Sequence, residues 1–125
     1  MAKFLTLDKI DRKLLNLLQK DNQTPTRVLA EKLHISQPTC LRRMKALRDA
    51  GVISADVSMV DPFSIGYGML AFLEISLANQ SDEHMRDFEA CMSHEPEVMQ
   101  CYFVSGEIDY FLVIHVVDME AYYQF

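Results

Sequence analysis

Between residues 8 and 50 apolar side chains recur every three or four positions; between 69 and 77 they recur at every second one. A helix presents one face every 3.6 residues and a strand every 2.0, so one secondary-structure type cannot serve both halves. The chain therefore divides into a mainly helical module followed by one containing a sheet. Charge changes at nearly the same place. Residues 1–57 hold eleven of the twelve basic side chains and carry a net +5, whereas 58–125 hold only Arg86 against twelve acids and carry −11. A positive module inside a chain of net charge −6 is a candidate for a polyanionic partner. Two solvated surfaces that merely differ in charge would give the same totals.

The first module reads as three helices. "LDKIDRKLLNLLQKD" sets Ile10, Leu14, Leu17 and Leu18 at helical spacing, with Asp8 as N-cap and Asp11 at the third helical position. After a polar break, Thr24 is expected to cap a short second helix, with Pro25 in its first turn and Leu29 and Leu33 on one side. His34-Ile35 makes a tight connection. Ser36 caps a third helix that runs to about Ala50, where Gly51 ends it. At about 100° per residue, Cys40, Met44 and Leu47 fall within roughly 60° of one another, with Leu41 on their flank, and this face is expected to pack. Thr39, Arg42, Arg43 and Ala46 are assigned to the outer side, and Gln37 and Pro38 to the exposed start of the helix. Between residues 35 and 48 there is no acid. A short helix, a tight turn and a second helix with a basic outer face make a helix-turn-helix. Its guanidinium groups suit phosphates or guanine, and Gln37 and Thr39 suit base edges. Ser36 and the free amides at the helix start suit a phosphate. A solvated amphipathic helix, or a helix-turn-helix used for protein contacts, would carry the same residues.

Val52, Ile53 and Val57 are strand formers, so a short strand, a wing beside the helices, is expected after Gly51. Asp61-Pro62, Gly66 and Gly68 then mark a connection. The expected domains are 1–58 for the helix-turn-helix, 59–68 as linker, and 69–125 for the sheet-containing part.

In the second module "MLAFLEISL" (69–77) alternates as a strand, and a helix follows that is capped by Ser81, with Met85, Phe88 and Met92 as its apolar stripe. Two further strands flank the hairpin turn Ser105-Gly106-Glu107-Ile108, and Asp118 opens another helix. In the first of these strands Val98, Tyr102 and Val104 are assigned to one face and Met99, Cys101 and Phe103 to the other. The order β-α-β-β-α is that of a ferredoxin-like αβ sandwich without its last strand, so the fold class expected is α+β, truncated at the C-terminus. Both faces of the central strands are apolar. An antiparallel sheet with helices on one side should be polar on the other, and a second copy of the chain is the economical cover.

Other chemistry is weakly supported. Cys40, Cys91 and Cys101 form no C-x-x-C pair, and His34, His84, His94 and His115 show no ligand spacing. The thiols of Cys40 and Cys101 are expected to be buried, and no metal, cofactor or enzymatic activity is expected. The longest apolar run is far short of the ~20 residues of a membrane span, and no signal peptide is evident, so a cytoplasmic protein with no membrane partner is expected.

"LDKIDRKLLNLLQKD", "PTCLRRMKALRDAGVI", "VDPFSIG" and "VSGEIDYFLVIHVVDMEAYYQF" together resemble the Lrp/AsnC (leucine-responsive, feast/famine) transcriptional regulators. The resemblance spans essentially the whole chain. It implies a winged helix-turn-helix that binds promoter or operator DNA, and an αβ sandwich that dimerises and binds a small amino-acid effector. It also implies assembly into tetramers, octamers or larger forms, and control of amino-acid metabolism genes. By resemblance, Ser36, Gln37, Thr39, Arg42, Arg43 and Lys45 fall at the DNA. Ser105, Gly106, Glu107, Asp109 and Tyr110 fall at the effector, where an acid such as Asp109 would hold an ammonium group and leucine, methionine or another apolar amino acid would fit. Ala55-Asp56 departs from the Gly-Tyr common in the family's wing, and the last strand of the family's sheet is absent. Outside the resemblance, the rival reading is a metabolite-binding module whose helix-turn-helix serves protein contacts.

Overall fold

A computed structural model describes residues 6–125, so the first five residues of the expected 1–58 domain lie outside the described part. The chain divides into two compact units between Ser58 and Met59.

The first unit consists of α1 (Lys9–Lys20), α2 (Thr26–Leu33) and α3 (Gln37–Asp49). Asp8 caps α1 in a capping box: its carboxylate accepts from the Asp11 amide at 2.8 Å, and the Asp11 side chain accepts from the Asp8 amide at 3.3 Å. Two of the free amides at the helix start are thereby satisfied. Thr24 does not cap α2. Its hydroxyl donates to the Asp21 carbonyl at 2.8 Å, and Pro25 occupies the N-cap position with no side-chain bond. Thr24 lies one residue before the N-cap, and its hydroxyl is turned toward the preceding turn at Asp21 rather than toward a helix amide.

His34 closes α2 in the left-handed region (φ 56°), which turns the chain at once into Ser36 and α3. At the far end of α3, Gly51 adopts φ 74°, its amide donating to Arg48 and that of Val52 to Leu47. These are the two bonds of a Schellman ending. Leu14, Leu29, Ala30, Leu33, Cys40, Met44 and Leu47 form the core, with Ile53 packed against it. Each fully buried leucine contributes about 1.5–3 kcal/mol.

Residues 52–60 form no strand, contrary to the expectation for Val52, Ile53 and Val57. Val57 is exposed, and among the described residues of this unit no second strand is available to pair with it. Strand propensity without a partner leaves backbone groups to water.

The second unit contains β1 (Met69–Ile75), α4 (Asp82–His94), β2 (Val98–Phe103), β3 (Tyr110–Val116) and α5 (Met119–Gln124). The sheet is antiparallel in the order β1-β3-β2. Tyr110, Leu112, Ile114 and Val116 are buried on one face, under Phe88 and Met92 of α4 and Ala121 and Tyr122 of α5. The opposite face carries Leu70 and Phe72 beside Val113 and Phe111, and Phe72 stacks on Phe111 at 5.8 Å. Residues 59–68, expected as a linker, belong to this unit. Met59, Val60, Pro62, Ile65 and Tyr67 line one side of a cavity of about 730 Å³ whose floor is Leu70, Phe72 and Val113.

The register of β2 differs from strict alternation. Val98 faces Ile114 and Gln100 faces Val113, which leaves a bulge at Met99. Val98 therefore shares the helix-side face with Cys101 and Phe103, and Tyr102 points to the other, opposite to the pairing of Val98 with Tyr102 expected from alternation. One inserted residue inverts every side chain on one side of it. Cys101 is exposed rather than buried, because β2 is a sheet edge; Cys40 is buried as expected, and Cys91 is exposed.

Candidate nucleic-acid interface and effector turn

The outer surface of α3 is set by which of its residues the core takes. Cys40, Met44 and Leu47 are inside, and Gln37, Pro38, Leu41, Arg42, Lys45 and Ala46 are exposed. The Arg42 side chain makes no ion pair or hydrogen bond among the described residues. Lys45 reaches Asp49 at 2.6 Å one turn on, but both side chains are more than 60% exposed, so solvent screens the pair and a phosphate can displace the aspartate. The same hydrogen bond, then the charge of Asp49, raises the Lys45 pKa.

Arg43 corrects the expectation for this face. Its Nη1 donates to Asp8 Oδ2 at 2.7 Å and to Asp11 Oδ1 at 3.0 Å, its side chain is 25% exposed, and its Nε is buried without a partner. It sits on the flank of the packing face, where it fastens α3 to the start of α1, rather than opposite the core with Arg42. Hydrogen bonds to Asp8 and then Asp11 raise its pKa. Asp8 is pushed down, first by the Asp11 amide and next by Arg43. Leu41, expected to flank the packed side, is 54% exposed.

At the start of α3 the Ser36 hydroxyl accepts from the Thr39 amide at 3.2 Å and donates to the Thr39 hydroxyl at 2.7 Å. Pro38 has no N–H, and the Cys40 amide bonds to the Ser36 carbonyl at 3.0 Å. Of the first-turn amides only that of Gln37 remains for an anion. Arg48 is held by Asp56 at 2.9 Å, which keeps the Asp56 carboxyl below its usual range.

The turn between β2 and β3 divides its residues. Ser105, Gly106 and Glu107 are exposed, with Gly106 at φ 127°, a conformation open to glycine. Asp109 is half-buried, and its Oδ2 accepts from the Leu77 amide at 2.7 Å and from Gln80 Nε2 at 3.3 Å. It pins the loop between β1 and α4 to the hairpin, so this oxygen is not open to a ligand's ammonium. Tyr110 is fully buried on the helix side of the sheet. Its ring lies 4.7 Å from that of Phe88, and its hydroxyl donates to Glu89 Oε1 at 2.6 Å. Burial, and then that hydrogen bond, push its pKa up to about 12. Spacing alone could not reveal the Arg43 clamp, the Asp109 bridge or the Tyr110–Glu89 pair.

Among the described residues no group of three or more potential metal ligands occurs, and no helix there is long and apolar enough to cross a membrane.

A helix-turn-helix with an exposed cationic helix, in one chain with a separate αβ unit, has the plan of a ligand-responsive DNA-binding regulator. Comparison with known proteins agrees. Residues 7–54 match the family model for winged helix-turn-helix DNA-binding, and residues 70–125 match that for the Lrp/AsnC ligand binding domain. An uncharacterized HTH-type transcriptional regulator of Haemophilus influenzae is 41% identical over 120 residues, covering 96% of this chain and 71% of that protein. The DNA-binding transcriptional activator DecR of Escherichia coli is 39% identical over 119 residues, covering 95% and 78%. Among solved structures, a transcriptional regulator from Neisseria meningitidis in complex with L-Met superposes with a TM-score of 0.87 at 36% identity, over 96% of this chain and 77% of that one. The chain belongs to the Lrp/AsnC family of transcriptional regulators. It is a DNA-binding regulator with an amino-acid-binding domain, and its family is one of regulators rather than enzymes.

Proposed function

We propose that residues 1–58 dock α3 in the major groove of an operator duplex and that residues 69–125 bind the effector and assemble the protein. The observation that carries the first part is Arg42: an exposed guanidinium, paired with no acid among the described residues, beside Gln37 and Lys45 on the outer face of α3. Gln37 and Arg42 are the base-reading candidates. Ser36, Thr39 and Lys45 are assigned to positioning and phosphate, and Arg43 orients the helix from behind. For the effector, the exposed Ser105-Gly106-Glu107 turn supplies polar groups and the neighbouring apolar surface suits leucine, methionine or a similar side chain. The L-Met complex of the Neisseria meningitidis relative supports that choice. The exposed apolar sheet face, with Phe72 61% and Leu70 43% exposed, supports a homodimer, which would build tetramers, octamers or larger forms in the cytoplasm.

The test is anisotropy of a labelled promoter duplex at several salt concentrations. Affinity should fall steeply with salt, by about 0.9 in log K per log salt for each phosphate neutralised. Lys45→Ala should weaken all sequences alike and flatten that slope by about one phosphate, and Arg42→Ala should relax preference at one base pair. Unchanged binding in both variants refutes the assigned face. Sedimentation velocity with and without a mixture of amino acids tests the assembly: a shift in species supports a sensor coupled to assembly, and a fixed species removes that coupling.

A further inference from the structure

Leu41 has an environment that the helix-turn-helix does not explain by itself. It is 54% exposed on the outer side of α3, while the apolar residues on the inner side, Cys40, Met44 and Leu47, are 9% exposed or less. A single exposed leucine is ordinary on a protein surface. Here, however, its neighbours one turn away are exposed Pro38 and Lys45, and next to it in sequence stands exposed Arg42. A protein partner that covered Leu41 would have to desolvate Lys45 and Arg42 with it. A DNA duplex instead offers phosphates to the cations, and in its major groove it carries one kind of apolar group, the C5-methyl of thymine.

We propose that Leu41, with Pro38 beside it, reads a thymine methyl group in each half-site of the operator. The inference rests on the reading that α3 lies in the major groove, and it adds a base preference that the polar residues do not supply. Pro38 and Leu41 are three residues apart, about 4.5 Å along the helix axis, comparable with the rise of a single base step. The pair therefore presents one short apolar strip, flanked by cations that fix its height above the base edges. Arg42 and Lys45 set the register through phosphate or guanine, and Leu41 discriminates thymine from cytosine at one position.

The experiment uses the full chain and a duplex selected by that chain from a randomised pool. Each thymine is replaced in turn by deoxyuridine, which removes the methyl and keeps the pairing. At one position per half-site the wild type should lose about fourfold in affinity, the effect of burying one methyl group. Leu41→Ala should bind the thymine duplex with a similar loss and be indifferent to deoxyuridine at that position, with an unchanged salt slope. Alanine is a good helix former at an exposed site, and circular dichroism checks that the variant keeps its fold. If Leu41→Ala keeps the wild-type pattern of deoxyuridine sensitivity, or if no substitution affects the wild type, the Leu41 assignment is overturned while Arg42→Ala still weakens binding. If Arg42→Ala also binds like wild type, the groove-facing reading falls together with it.

Discussion

Replacing Arg43 by methionine tests whether the recognition helix is held from behind by charge. Methionine keeps most of the stem and its packing but removes the guanidinium. Asp11, 8% exposed as a residue, is then left as a carboxylate with no cation, and Asp8 loses the bond at 2.7 Å. A solvent-exposed pair contributes only about 0.2–1 kcal/mol. Stripping one partner from a fully buried pair costs about 3–5 kcal/mol. Arg43 is 25% exposed and Asp11 11% by side chain, which sets the expected loss between these limits, at about 2 kcal/mol. Asp11→Asn combined with Arg43→Met removes the orphaned charge as well, and should recover about 1 kcal/mol of that loss. All five tyrosines, Tyr67, Tyr102, Tyr110, Tyr122 and Tyr123, lie in the second unit, so tyrosine fluorescence follows that unit alone. Hydrogen exchange at the Leu14 and Leu47 amides follows the first. The variant should lose protection at those amides with the tyrosine transition unmoved. Acid sensitivity carries the same signature. The Asp8 pKa is depressed in the folded chain, so its stabilisation is present above about pH 4 and is lost as pH falls through the depressed value. In Arg43→Met that acid-side loss should shrink. Protection within about 0.5 kcal/mol of wild type would refute the clamp.

Other positions give sharp expectations. Gly51→Ala places a Cβ in open space but at φ 74°, so it should cost about 1 kcal/mol by backbone strain alone, read as a lower melting temperature of the helical unit. Asp109→Ala removes the acceptor of the Leu77 amide; a loss of about 1–3 kcal/mol and faster exchange at Leu77 should follow, and unchanged exchange would show that the bridge does not hold that loop. The raised Tyr110 pKa makes its contribution to stability fully present below about pH 10 and lost as pH climbs toward 12. Spectrophotometric titration should show a tyrosinate step near pH 12 that is missing in Tyr110→Phe. If that step survives the substitution, the assignment to Tyr110 fails.

What the linear order of residues decided is the local part of this protein. The helix limits follow from caps and period: Asp8, Ser36, Ser81 and Asp118 each accept a backbone amide within their own first turn, and Gly51 ends α3. The alternation of "MLAFLEISL" likewise marked β1 as a strand, because a period of two needs no knowledge of the partner strand. Family and broad function were legible for the same reason, in short motifs standing in one order.

The tertiary structure decided every question whose answer lies far along the chain. Arg42 and Arg43 are adjacent and chemically identical, yet one is exposed without a partner among the described residues and the other is fastened to carboxylates 35 and 32 residues away. Val52–Val57 had the composition of a strand, but a strand forms only beside a partner. The bulge at Met99 redirected Val98, which no count of alternating residues could reveal, since it is fixed by the register with β3. Asp109 was visible as an acid in a turn; that its charge holds the Leu77 amide across 32 residues was not. Caps and periods act within a few residues and are written locally, whereas ion pairs, register and burial depend on where two distant segments meet.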